Sequence, residues 1–240
     1  MRNSEGKQGC AVTFIDATLL PRVCRINILS RSIYMNFWNS VMLKYLFTIV
    51  IITTISFPSH AKTILIIGDS ISAGYGIEIK DGWVALLDEK LNQQGEFTVV
   101  NASVSGDTTG MGLARTESLL SQHKPDIVLI ELGGNDGLRG FPIKVIKNNL
   151  EKITRLSLAA EAKVLLVGIQ IPPNYGSRYT EEFFNTFQLI SESLSVPLVP
   201  FILDDVAIKP ELMQSDGIHP KAEAQSMLVD NIWPYLEPLL

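Results

Sequence analysis

Five apolar runs of strand length recur along the chain, at 63–67, 97–101, 126–132, 163–169 and 196–201, separated by longer stretches of helical period. That alternation leaves few folds open, because each apolar run needs cover on both faces and each helical stretch has only one apolar stripe to give. The runs are almost continuously apolar, as strands buried on both sides are, and lack the in-and-out pattern of a half-solvated sheet. Between them Trp83, Leu86, Leu87 and Leu91 fall on one helical face. So do Ile146, Leu150 and Ile153, and likewise Phe183, Phe187, Ile190 and Leu194. A last helix is expected after Pro220, with Ala224, Leu228, Ile232 and Tyr235 in register. The expected fold is α/β: a parallel sheet in a three-layer arrangement, helices on both faces, in one domain over 62–240. There is no internal repeat, low-complexity tract or linker.

The N-terminal part reads differently. Met42-Leu43-Lys44 is followed by an apolar stretch at 45–57 and then by Pro58-Ser59-His60-Ala61, a cationic start, a hydrophobic core and a small-x-small cleavage site. About 20 apolar residues are needed to span a bilayer, and this stretch is shorter. A signal peptide over 35–61, cut after Ala61, is therefore expected, with no stable membrane insertion afterwards and a periplasmic or secreted product. Residues 1–34 show neither helical nor strand periodicity. They are expected to be an unstructured or non-native extension, with translation starting at Met35 or Met42.

Both cysteines, Cys10 and Cys24, lie ahead of that cleavage point. The remaining chain thus has no disulfide framework, thiol nucleophile or thiolate metal site. Of the chain's 20 basic and 25 acidic residues, 14 and 23 lie beyond residue 61, a net charge of −9. So acidic a surface repels phosphate backbones, which excludes nucleic acid as an expected partner. A monomer is the simplest expectation for its assembly.

In an open parallel sheet, ligands bind beyond the carboxyl ends of the strands, and the loops leaving those ends are the unusual ones here. They read Gly68-Asp69-Ser70-Ile71-Ser72, Ser103-Val104-Ser105-Gly106-Asp107, Gly133-Gly134-Asn135-Asp136-Gly137 and Asp216-Gly217-Ile218-His219. A hydroxyl nucleophile needs a base to take its proton and a third group to hold that base in one tautomer. Ser70, His219 and Asp216 supply these, the Asp-x-x-His spacing letting one short turn set carboxylate beside imidazole. Beyond the cleavage point the only other histidine is His123, at the end of a helix entering a strand from its amino end, on the wrong side of the sheet. Ser70 and Gly106 are expected to offer backbone N–H groups, and Asn135 its side-chain amide, to a developing oxyanion.

These blocks carry a resemblance. Gly68-Asp69-Ser70, Gly106, Gly134-x-Asp136 around Asn135, and Asp216-x-x-His219 match in order the four signature blocks of the SGNH (GDSL) hydrolases, and the likeness extends over 63–238. The resemblance implies a flavodoxin-like fold with strand order 2-1-3-4-5, a Ser70, His219, Asp216 triad, and an oxyanion hole from Ser70, Gly106 and Asn135. It implies a serine esterase or thioesterase acting through an acyl-enzyme on small-molecule esters and thioesters of the lysophospholipid, acyl-CoA and aryl-ester type, with no cofactor and no metal.

Around the site, Leu138, Phe141 and Pro142 are expected to form a flap over an acyl chain, with Ile171 and Tyr175 as the opposite wall. Asp69 and Asp136 lack the further oxygens a hard cation needs and read as hydrogen-bond acceptors bracing the loops. Neither a Walker pattern nor Gly-x-Gly-x-x-Gly follows the first strand, and Ser70 lacks the Gly-x-Ser-x-Gly elbow. Pro220 also suits the first position of a helix. Two rival functions share the fold: a carbohydrate O-acetylesterase, which calls for a smaller and more polar pocket, and a non-catalytic binding module.

Overall fold

The computed structural model describes residues 61–240 together with Trp38, Val41 and Met42. The extension expected at 1–34 and nearly all of the signal peptide expected at 35–61 lie outside the described residues.

Strands β1 (Lys62–Gly68), β2 (Phe97–Asn101), β3 (Ile127–Glu131), β4 (Lys163–Val167) and β5 (Leu198–Val199) form one sheet. All pairs are parallel and the order is β2-β1-β3-β4-β5, the order the resemblance implied. Parallel neighbours require crossovers, and helices supply them. In chain order these are α1 (Ser70–Ala73), α2 (Trp83–Asn92), α3 (Thr109–His123), α4 (Gly134–Leu138), α5 (Ile143–Ala159), α6 (Ser177–Leu194) and α7 (Gln225–Leu236).

Successive strand residues point to opposite faces, so the sheet divides the interior in two. Ile64, Ile66, Ile127, Leu129, Leu165 and Val167 pack with Trp83, Leu87 and Leu91 of α2 and Leu228 and Ile232 of α7. The intervening Leu65, Ile67, Val128, Ile130, Val164 and Leu166 pack with Leu120 of α3, Leu150 and Ile153 of α5, and Phe183 and Phe187 of α6. Burial on both faces accounts for the unbroken apolar runs.

The last three strands end earlier than the apolar runs that mark them. After β3, Gly133 turns the chain with a φ of 122°. β5 keeps only two residues because prolines flank it at 197 and 200 and neither has an N–H for the ladder. Pairing continues through single bonds, the Gly168 N–H donating to the Val199 carbonyl at 2.8 Å. The final helix differs as well. Pro220 does not begin it but bridges to Met213, and a 3-10 turn at Ala222–Ala224 precedes Gln225. The buried row then runs Leu228, Ile232, Leu236, leaving Tyr235 half-buried.

β1 has β2 on one side and β3 on the other, so the chain leaves it in opposite directions and a crevice opens at its carboxyl end. Ser70 stands at that crevice.

Candidate active site

Ser70 follows β1 after one residue and is the first residue of α1. Asp69 caps the turn, its Oδ1 accepting from the Ile71 N–H at 3.1 Å, a common role for aspartate at a helix start. The abrupt change from strand to helix leaves the Ser70 side chain at the rim.

The segment from Met213 to Pro220 is a closed loop. The Gln214 N–H donates to the His219 carbonyl at 2.8 Å, and the Gly217 N–H donates to the Gln214 carbonyl at 3.0 Å. Gly217 has a φ of 67°, which favours glycine. The Gln214 side chain donates to the Tyr75 carbonyl at 2.8 Å, fastening this loop to the one after α1. Within it, Asp216 Oδ1 accepts from the Ile218 and His219 N–H groups at 2.9 and 3.0 Å. Its Oδ2 lies 2.7 Å from His219 Nδ1, and His219 Nε2 lies 2.7 Å from Ser70 Oγ. With the Nδ1 proton directed at Asp216, Nε2 is the basic nitrogen and accepts from the Ser70 hydroxyl. The Tyr75 ring packs on the imidazole, centroids 4.6 Å apart. Partial burial works against ionisation of Asp216. The hydrogen bonds from the His219 ring and from the two N–H groups outweigh it and hold the carboxyl at about 2.

Three candidate donors surround Ser70 Oγ in the sequence reading, and the structure puts their loops at one rim. The Ser70 and Gly106 N–H groups have no acceptor among the described residues. Gly106 adopts a φ of 86°, and a Cβ there would meet nothing within 4 Å; its carbonyl accepts from the Arg139 side chain at 3.3 Å. Asn135, in α4, donates one side-chain N–H to Asp69 Oδ2 at 3.2 Å.

Below this rim lies an acidic layer. Glu131, fully buried at the end of β3, accepts through Oε2 from the Asp69 N–H at 3.2 Å and from the Ser72 hydroxyl at 2.7 Å. Burial, reinforced by the neighbouring Asp69 charge, pushes Glu131 well above the usual carboxylate range. Burial likewise pushes Asp69 up to about 6, against the lowering pull of the Ile71 N–H, His219 and Asn135. Asp136 accepts from the Thr109 N–H and hydroxyl at 2.8 and 2.6 Å, locking α4 to the start of α3. Burial raises its carboxyl too, with the Thr109 hydrogen bonds opposing.

A groove of about 490 Å³ runs from Ser70 and His219. Leu138 and Ile171 line it, with Ile71, Ile169, Pro172 and Pro173. Phe141, Pro142 and Tyr175 are not in its lining. Phe141 is partly exposed and its carbonyl accepts from the Tyr179 hydroxyl at 2.7 Å, Pro142 caps α5, and Tyr175 ends a 3-10 turn at Pro173–Tyr175. The other wall is instead Phe201, Leu203, Ala207, Ile208, Met213 and Ile218, from the segment between β5 and α7. The apolar run at 196–201 and the Asp216–His219 block bracket that wall, but no sequence signal marked Leu203, Ala207, Ile208 and Met213 between them, because they have no period and their turns are held only by the finished fold. His123 closes α3 at the amino end of the sheet, away from Ser70. Among the described residues no helix is long and apolar enough to cross a membrane.

Comparison with known proteins agrees with this geometry. The model of the GDSL-like lipase/acylhydrolase family matches residues 66–226. Esterase TesA of Pseudomonas aeruginosa is 50% identical over 181 residues, covering 75% of this chain and 90% of that protein. Thioesterase 1/protease 1/lysophospholipase L1 of Escherichia coli K12 is 44% identical over 206 residues, covering 86% and 98%. The crystal structure of TesA superposes with a TM-score of 0.73 at 49% identity over 75% of this chain and all of that one. The psychrotrophic esterase EstA of a Pseudoalteromonas species, in a structure inhibited by monoethylphosphonate, gives 0.71 at 45% identity, covering 74% and 97%. A family match that takes in the loops of Ser70, Gly106, Asn135 and His219, together with near-half identity to full-length esterases, places the conclusion beyond fold alone: this chain belongs to the GDSL-like lipase/acylhydrolase family and is an ester-hydrolysing enzyme.

Proposed function

We propose that Ser70 is the nucleophile of this hydrolase, His219 its general base and acid, and Asp216 the group that orients and steadies the imidazole. The observation that carries the reading is the pair of 2.7 Å contacts joining Ser70 Oγ, His219 and Asp216 in one line. In the first step Oγ attacks the carbonyl carbon of an ester or thioester while Nε2 takes the hydroxyl proton. The tetrahedral oxyanion sits among the Ser70 and Gly106 N–H groups and the free N–H of Asn135. Neutral donors suit it, since they stabilise charge as it forms without titrating. Collapse expels the alcohol or thiol, which receives the proton from His219. Water then repeats the cycle on the acyl-enzyme and releases the acid.

The groove supports an acyl chain as the part recognised. Its long wall is made of Ile, Leu, Phe, Met, Pro and Ala side chains, which favour methylenes over sugar hydroxyls. Relatives named as an esterase, an arylesterase and a thioesterase/lysophospholipase suggest aryl esters, acyl thioesters and lysophospholipids as the substrate classes. The working enzyme is the exported chain from Lys62 onward, acting as a periplasmic or secreted monomer after removal of 35–61, with 1–34 as an extension outside the enzyme.

A series of p-nitrophenyl esters from acetate to palmitate, run beside an acetylated polysaccharide, tests the substrate side. The reading expects kcat/KM to rise with chain length and no release of acetate from the polysaccharide. A preference for acetate would overturn it in favour of a carbohydrate O-acetylesterase.

A further inference from the structure

One cation touches both loops that carry the backbone donors. Arg115 of α3 donates through Nε to Asp107 Oδ2 at 2.8 Å, with its NH2 nitrogen 2.8 Å from the same oxygen. Its NH2 nitrogen also donates to the Gly68 carbonyl at 3.4 Å, and its NH1 nitrogen donates to the Ala102 carbonyl. Asp107 follows Gly106 in sequence, and Gly68 lies two residues before Ser70. Ala102 stands just beyond β2, where the Gly106 loop begins. The loop itself returns a bond, the Val104 N–H donating to the Gly68 carbonyl at 3.1 Å. Asp107 is buried, only 3% exposed, so its carboxylate depends on this partner.

We infer that Arg115 is a positioning residue for the reaction: its planar guanidinium fixes the separation between the Ser70 and Gly106 N–H groups. This rests on the reading of Ser70 as nucleophile and of those N–H groups as oxyanion donors. The physical reason for arginine is the fork. Its donors leave one rigid plane at fixed angles and meet three acceptors on two loops, whereas a lysine ammonium is a compact charge on a flexible stem. A donor helps the transition state only when it is aimed at the place where charge develops, and loss of about 1 Å in placement costs up to about a hundredfold in rate. Gly106 has a positive φ and no side chain; the turn bond from the Asp107 N–H to the Val104 carbonyl at 3.1 Å and the Arg139 side chain donating to its carbonyl at 3.3 Å restrain it locally, and the Arg115 contacts at Ala102 and Asp107 tie that turn to the Ser70 loop.

The test is Arg115→Lys in the full chain. The readouts are kcat and KM on a p-nitrophenyl ester, the Ki of an alkyl boronic acid, and the Ki of the alcohol of equal chain length. The boronic acid forms an anionic tetrahedral adduct with a serine nucleophile; the alcohol occupies only the groove. Arg115→Lys is expected to lower kcat by roughly tenfold to a hundredfold with KM nearly unchanged, to weaken the boronic acid by a similar factor, and to leave the alcohol as in the wild type. Equal kcat and boronate affinity in the two proteins would overturn the inference, since any cation would then serve. Equal weakening of boronate and alcohol would overturn it too, as general damage to the groove. If Arg115→Lys does not fold, Asp107→Asn, which keeps the shape and one oxygen for the guanidinium, is expected to show the same pattern at smaller size; no change in kcat or boronate affinity would count against it. Failure of the underlying nucleophile reading is seen separately, as absence of a Ser70–boronate adduct in the wild-type protein.

Discussion

The side-chain amide of Asn135 donates to the Asp69 carboxylate at 3.2 Å, although 66 residues separate the two in sequence. Asp69 is also the cap that fixes the first turn after Ser70. One carboxylate therefore orients both the Ser70 turn and the amide beside it, and the second Asn135 N–H has no acceptor among the described residues.

That arrangement predicts unequal effects at the two positions. Asn135→Ala is expected to lower kcat by roughly 10²- to 10³-fold, as loss of one oxyanion donor does, with KM little changed. Asp69→Asn keeps an oxygen for the Ile71 N–H and is expected to cost less. Steady-state kinetics on one ester decide it: an Asn135→Ala enzyme with wild-type kcat removes that amide from the oxyanion site.

Glu131 makes a prediction about pH. Its folded-state carboxyl is raised, as is that of Asp69 at about 6. Groups raised in this way favour the fold fully below their unfolded values of about 4 and lose that contribution as pH rises through the folded values. Glutamine has the shape of neutral glutamic acid and keeps an acceptor for Asp69 and Ser72. Glu131→Gln is therefore expected to gain on the wild type in urea unfolding as pH rises above the unfolded value of about 4. A stability difference independent of pH would show that the fold does not raise the Glu131 carboxyl.

Asp216 behaves in the opposite sense. Its carboxyl is lowered to about 2, so its contribution is present above the unfolded value of about 4 and is lost as pH falls toward 2. Asp216→Asn is expected to flatten the acid limb of the stability curve between pH 4 and 2. It is also expected to cut kcat by about 10⁴-fold through the wrong imidazole tautomer. An unchanged acid limb would mean the carboxylate is not held by the His219 ring and the two N–H groups.

Gly168 predicts a structural cost. A Cβ at this position would stand 2.2 Å from the Pro200 carbonyl oxygen, a backbone atom that no rotamer change moves aside. Gly168 also joins the short β5 to the sheet by its own hydrogen bonds to Val199 and Ile202. Gly168→Ala is expected to lose roughly 1–3 kcal/mol or more by overpacking. Chemical denaturation with unchanged stability would show that the β4–β5 junction yields freely.

The sheet was legible because burial on both faces writes itself into the sequence as unbroken apolar runs. Four loops were legible because Gly, Asp, Ser and Asn cluster where a helix or another strand's run should follow. α3 was harder to see: its buried row is Thr109, Gly112, Thr116 and Leu120, small residues that sit close to the sheet and give no aliphatic stripe. The middle of the groove wall, at 203–213, was hidden for a different reason. Leu203, Ala207 and Ile208 lie in turns whose shape comes from long-range bonds such as Asn231 to the carbonyls of Ile202 and Asp204. Pro220 misled in the same way, since a proline fits both a helix start and the closing bridge it makes with Met213. The contact of Tyr75 with His219 left no trace in spacing at all.

The most direct measurement is labelling with a fluorophosphonate, followed by mass spectrometry of the digested protein. The account predicts a single adduct on Ser70, formed far more slowly in His219→Ala, and loss of both adduct and turnover by orders of magnitude in a folded Ser70→Ala enzyme. An adduct on another residue, or a Ser70→Ala enzyme with near-wild-type kcat/KM, would contradict it.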